Sequence, residues 1–222
     1  MNSVSGVSYP VESRHPGWPA RLGPLRVPAG EVAIRPVRLR DAGEWSRIRL
    51  RDRAHLEMWE PTGVGPWPER NAFWSWPSQW AALRSLARRG QCLPFTITLD
   101  GRLVGQITVG NVIRASLRSA WIGYWVSSAS NGGGVATGAV ALGLDHCFGP
   151  VMLHRVEATV RPENAASRAV LAKAGFREEG LLRRYLEVDH GWRDHLLVGL
   201  TSEEVYGSVV STLVRAGRAS FV

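Results

Sequence analysis

From residue 31 onward, apolar and polar positions either alternate or recur at helical spacing, and the thirty residues before it do neither. Val32, Ile34, Val37 and Leu39 alternate with polar neighbours and predict a strand, and Asp41 stands where a helix N-cap belongs, ahead of Trp45, Ile48 and Leu50. Phe73, Trp76, Trp80, Leu83 and Leu86 predict a second helix after Pro68, bent or interrupted at Pro77 and ended by Arg88, Arg89 and Gly90. Two alternating runs, from Phe95 to Leu99 and from Leu103 to Val109, flank Asp100-Gly101 and predict a hairpin. A strand is expected over 121–126 and, past a glycine-rich turn, a helix over 135–142. A strand at 156–160, a helix starting near Asn164 and a closing hairpin around Asp189-His190-Gly191 complete the pattern.

The order of these elements predicts a single mixed α/β domain over residues 31–200. Residues 1–30 carry Pro10, Pro16, Pro19, Pro24 and Pro28 without periodicity and are read as an irregular arm that adds little to the core. Residues 201–222 are read as a tail that forms a short helix.

Composition narrows the class. In 222 residues, 45% are apolar, enough to build a core and to exclude disorder throughout. Cys92 and Cys147 cannot make a disulfide scaffold and have no partner at metal-ligand spacing, so a reducing compartment and no metal are expected. No apolar run is long enough to cross a bilayer or resembles an export signal, which points to the cytoplasm and to no membrane partner. The 27 basic side chains against 19 acidic ones leave a net charge of +8 and favour an anionic partner, a polyphosphate cofactor among them. The arginine-dense stretch 35–53 reads as a solvated helix surface, and direct nucleic-acid binding is disfavoured. A monomer and a homodimer both stay open.

The first chemical clue is Asn131-Gly132-Gly133-Gly134 between a strand and a helix, because closely spaced glycines let backbone N–H groups approach an anion at a helix start. Nothing follows it as in a P-loop, which argues against a nucleoside triphosphatase. The second clue is the run Asn164-x-x-Ser167-x-x-x-Leu171-x-Lys173-x-Gly175-Phe176. With the upstream Ile122-Gly123-Tyr124-Trp125-Val126 and the hairpin from Tyr185 to His195, it resembles the GNAT superfamily of acetyl-coenzyme A-dependent N-acetyltransferases, and within it the RimJ/RimL branch.

That resemblance implies a GNAT-type mixed, mostly antiparallel sheet of about seven strands with flanking helices, and an acyltransferase with acetyl-CoA as co-substrate and no metal. The implied acceptor is a protein N-terminal α-amine of the ribosomal-protein type; a small amine such as an aminoglycoside, polyamine or amino acid, or a non-catalytic CoA binder, is the alternative. In the family a bulged strand, here 121–126, opens the sheet, and a loop, here Asn131, Gly132, Gly133, Gly134, Val135 and Ala136, cradles the pyrophosphate, with Thr137 adding a hydroxyl. Asn131 stands where the family has Gln or Arg, so a charge-assisted contact is missing there. Val126 or Ser127 is implied to polarise the thioester through its N–H, Asn164 to hold the pantetheine, Ser167 to contact it and protonate the thiolate, and Lys173 to approach the phosphates. Capping is the competing role for Asn164. Glu157 is the candidate base, with ion pairing to an arginine as its alternative, and Tyr185 a candidate proton donor. Trp59, Trp67 and Tyr124 are assigned to the acceptor site, whereas Trp76 and Trp80 are read as core.

Overall fold

The computed structural model describes residues 17–222. Two strands come first, β1 (Leu22–Val27) and β2 (Gly30–Pro36). Four helices follow: α1 (Ala42–Arg51), α2 (Arg53–Leu56), α3 (Trp67–Arg70) and α4 (Trp76–Arg88). Then come β3 (Cys92–Leu99), β4 (Arg102–Ile113), β5 (Ser119–Val126), α5 (Val135–Phe148), β6 (Arg155–Val160) and α6 (Ala165–Lys173). The chain closes with β7 (Arg177–Val188), β8 (Gly191–Thr201), α7 (Val209–Arg215) and β9 (Ser220–Phe221).

The strands form one mixed sheet in the order β7-β8-β6-β5-β4-β3-β2-β1-β9. Among the described residues it has nine strands where about seven were expected, because β1 and β9, from opposite ends of the described chain, add two strands side by side at one end of the sheet. The proline-rich stretch is therefore more than an arm: β1 pairs with β2, and Leu25 and Val27 are buried in the main core. Pro24 falls where the β1–β2 register is broken, between Leu22 and Leu25, so its missing N–H interrupts no regular ladder. The part of the expected arm over 1–16 lies outside the described residues.

Two apolar clusters cover the two faces. On one face α5 lies against the sheet, and Ala139, Val140, Ala141, Leu144 and Cys147 are all buried. Its far side is covered as well, by α7, whose first N–H groups (Val209 and Val210) donate to Asp145 at 2.6 and 3.1 Å. On the other face Val37, Trp45, Ile48, Trp76 and Leu103 form a second cluster against which Trp80 and Trp125 pack.

Local chemistry decides how the predicted boundaries are made. Asp41 stands at the N-cap position of α1, as expected, but its side chain makes no capping bond: its carboxylate turns back to accept from Arg35 at 2.8 and 2.9 Å, from the Arg38 N–H and from Thr96. Pro77 does not bend a helix but starts one, in the first turn of α4, where a missing N–H costs nothing. Asp100 (φ 48°) and Gly101 (φ 79°) make the tight β3–β4 turn in the left-handed region that such a hairpin requires.

Candidate active site

The sheet opens between β5 and β6. They run parallel and pair only at Ser119↔Arg155, Ala120↔Val156 and Trp121↔Glu157, after which the last five residues of β5 have no β6 partner. The opening does not come from a bulge in β5, as the family resemblance implied. Its register with β4 is unbroken from Gly105↔Val126 to Gly110↔Trp121, and the irregularity falls between Gly110 and Ile113 of β4. The Ser127 N–H continues this ladder, donating to the Val104 carbonyl at 2.7 Å. Ser127 is thus not available to polarise a substrate carbonyl. Because antiparallel pairs alternate, the N–H and C=O groups of Tyr124 and Val126 then point away from β4 and into the opening.

Alternation along β5 also sorts its side chains. Ile122 and Val126 belong to the core beneath α5, Tyr124 packs against that core, and Trp125 joins the opposite cluster. Across the opening, α6 presents Ser167: the Tyr124 hydroxyl lies 2.9 Å from Ser167 Oγ. Burial pushes the Tyr124 phenol up to about 12, with the Ser167 hydrogen bond opposing the shift, so the phenol keeps its proton at neutral pH. Asn164 is the N-cap of α6, its Oδ1 accepting from the Ser167 N–H at 3.0 Å. Lys173 is exposed in the last turn of α6.

The glycine loop sits at the mouth of the opening. Gly132 (φ 80°) and Gly134 (φ 83°) occupy left-handed conformations that cost other residues strain. Gly133 is required sterically, since a Cβ there would meet the Ala29 Cβ at 2.4 Å. Ala29 also donates its N–H to the Gly133 carbonyl at 3.1 Å, so the β1–β2 turn braces the loop. Gly134 caps α5 without a side-chain bond, and the first intrahelical donor is the Gly138 N–H, to the Gly134 carbonyl at 2.8 Å. The N–H groups of Val135, Ala136 and Thr137 precede it and have no place in the helical ladder, which gives the loop the donors and the positive dipole end that an anion needs. Thr137 itself is buried.

The other expected residues scatter. Glu157 shares the outer face with Trp121, at the closed end of the opening, and is ion-paired with Arg155 at 3.2 Å; Arg155 is in turn held by Glu179. The Trp121 ring lies over Gly110 and Gly123, where any Cβ would collide with it or crowd it. Tyr185 is half-exposed on β7 and meets His195 edge-on with ring centroids 5.8 Å apart. Trp59 sits under the Arg161 guanidinium, 5.3 Å from the ring centre, at the loop that leads into α6. Trp67 is not available to the acceptor site to which the sequence assigned it: it is 1% exposed, its indole N–H donates to the Arg49 carbonyl at 3.0 Å, and Arg49 stacks on it. Arg49 lies over Trp45, Trp67 and Trp125 together, which explains three of the tryptophans as packing around a buried cation.

Asp52 was not anticipated. Its side chain is 3% exposed, and it accepts from the Ser128 N–H (2.9 Å) and Oγ (2.8 Å) just before the glycine loop. Arg51 holds its carboxyl far below the usual carboxylate range, overriding the burial that would raise it, with the Ser128 bonds adding to the effect. A lone aspartate at a helix end carries no sequence signal for a contact 76 residues away.

The acetyltransferase (GNAT) domain family matches residues 31–177. The chain belongs to that family. The GNAT chain also superimposes on Mycobacterium smegmatis RimJ, solved in complex with CoA-disulfide, with a TM-score of 0.93 and 64% identity over 94% of this chain and 100% of that one. It is 26% identical to the Escherichia coli ribosomal protein uS5-alanine N-acetyltransferase over 194 residues, 85% of this chain and 96% of the relative. A probable N-acetyltransferase of Bacillus subtilis, YjcK, is 40% identical over 105 residues, 47% of this chain, and the match spans 58% of that protein's length. Among the described residues no group of three or more His, Cys, Asp and Glu side chains is placed to hold a metal, and no helix is long and apolar enough to cross a membrane.

Proposed function

We propose that this GNAT chain transfers the acetyl group of acetyl-CoA to a protein N-terminal α-amine, with a ribosomal protein as the acceptor class and the cytoplasm as its setting. One observation carries the reading: the Tyr124–Ser167 hydroxyl pair bridges an opening in the sheet whose mouth is a glycine-braced helix start. The first is an arrangement for a leaving group, the second for its phosphates. The similarity to RimJ and to the uS5-alanine enzyme supports the choice of acceptor.

In this reading the pantetheine arm lies along β5 and pairs with the outward N–H and C=O groups of Tyr124 and Val126, with the Val126 N–H at the thioester carbonyl. The neutral amine nitrogen attacks the carbonyl carbon, the C–S bond breaks, and the departing thiolate takes the Ser167 hydroxyl proton. Tyr124, protonated at neutral pH, donates to Ser167 Oγ and so leaves the serine proton free for sulfur. An α-amine has a pKa of roughly 7.7 to 8.0, so part of it is already neutral and the base can be weak. Glu157 faces away from the core at the closed end of the opening, five residues along β5 from Val126, and takes the amine proton through a chain of waters; Trp59 lines the acceptor's approach.

Mixing the protein with acetyl-CoA and following thiol release tests the reading. Peptides with a free N-terminus are expected to turn over, and the same peptides with a blocked N-terminus and a free lysine are expected to be inert. Turnover of a small amine with inert peptides overturns the acceptor assignment.

A further inference from the structure

The side chains that lock the glycine loop in place come from the α1–α2 junction. Arg51 and Asp52 are sequence neighbours, which do not face each other on a helix surface, yet they form a two-pronged pair: Nε to Oδ1 at 2.8 Å and Nη2 to Oδ2 at 2.9 Å. The pair exists because Asp52 is not on the helix surface but buried against Ser128, and Arg51 Nη2 reaches on to Ser127 Oγ at 2.5 Å. At the other end of the same loop, Asn131 Nδ2 lies 3.1 Å from His55 Nε2. The loop is thus tied at its entry and at its first family position to one short stretch of chain. Burying a carboxylate is costly unless its charge is matched and its oxygens are satisfied, and here both conditions are met by the loop and by one arginine.

Arg51 has more donors than these contacts use. Nε and Nη2 are engaged, Nη1 has no partner among the described residues, and the side chain is 42% exposed. A guanidinium held by a carboxylate on one edge, with its remaining edge in solvent, is preorganised for a phosphate. The loop itself lacks a cation, since Asn131 stands where the family has Gln or Arg. We propose that Arg51 supplies the charge-assisted phosphate contact of this site from α1, with Asp52 as the positioning residue that fixes both Arg51 and the loop entry. The assignment rests on the reading of the glycine loop as the phosphate site of coenzyme A.

The test compares ligands with and without phosphates. Calorimetry with coenzyme A is expected to show Arg51→Gln weakening the Kd about tenfold, as the loss of one charge-assisted hydrogen bond implies. The wild-type affinity is expected to fall with added salt more steeply than the variant's. With S-acetylpantetheine, which lacks the phosphates, kcat/KM for Arg51→Gln is expected to stay within twofold of wild type. Asp52→Asn, which keeps the shape and loses the charge, is expected to weaken coenzyme A in the same sense. An Arg51→Gln Kd within twofold of wild type overturns the assignment, as does an equal loss with both donors. A wild-type protein without affinity for coenzyme A overturns the reading of the loop and this assignment with it.

Discussion

The Tyr124 hydroxyl and Ser167 Oγ meet at 2.9 Å across the opening between β5 and β6. If Ser167 is the proton donor to the thiolate, Ser167→Ala lowers kcat by about a hundredfold, the lower end for general acid catalysis, and changes the coenzyme A Kd little. Tyr124→Phe keeps the packed ring and loses only the hydroxyl, so its kcat falls less. Steady-state kinetics alongside calorimetry separates the two; an unchanged kcat in Ser167→Ala removes it from that role.

The brace between Ala29 and Gly133 makes a paired prediction. Gly133→Ala puts two methyl carbons at 2.4 Å and should displace the loop, lowering the melting temperature and weakening coenzyme A. Ala29→Gly removes the opposing methyl, so the double variant should recover most of the loss. Independent, additive effects in a double-mutant cycle would show that the two residues do not act through this contact.

Leu25 tests whether the first strand belongs to the fold. It is 1% exposed, and Leu25→Ala is expected to cost about 2–5 kcal/mol by denaturant unfolding, as a cavity in a packed core does. A loss below about 0.5 kcal/mol, the scale of an exposed site, would return residues 22–27 to the status of an arm.

Asn164→Ala removes the acceptor for the Ser167 N–H and should destabilise α6 by about 1 kcal/mol. Its effect on coenzyme A affinity distinguishes a cap that also contacts ligand from a cap alone: a lowered melting temperature with unchanged affinity is the outcome for capping only.

His146 on α5 gives a pH dependence. Burial lowers its pKa below the ordinary 6.5, against the opposing hydrogen bond to the Gly17 carbonyl. Below about pH 6.5 the unfolded chain therefore takes up the proton and the folded chain resists it, so stability is full above that pH and falls as pH drops. Melting temperatures at pH 7.5 and 5.5 should differ less in His146→Gln than in wild type. An identical difference in both would place the pH dependence elsewhere.

Local patterning accounts for the middle of this protein. Period-two alternation in β3 and β4, the Asp100-Gly101 turn, the glycine run before α5 and the Asn164 to Phe176 signature are all local, and local patterns specify local structure. Periodicity also assigned Trp76 and Trp80 to packing. It could not assign Trp67, because a single aromatic in a proline-flanked stretch has no period, and its burial comes from Arg49 and the Arg49 carbonyl on another helix. Likewise β1 has an irregular sequence and becomes a strand only because β2 offers it an edge. Three relationships exist only in the tertiary structure: the parting of β5 from β6, the hydroxyl pair that spans it, and the Arg51–Asp52 grip on the glycine loop. Each joins residues tens of positions apart through short-range contacts, and no pattern of neighbours along a chain encodes which distant side chain will supply the partner.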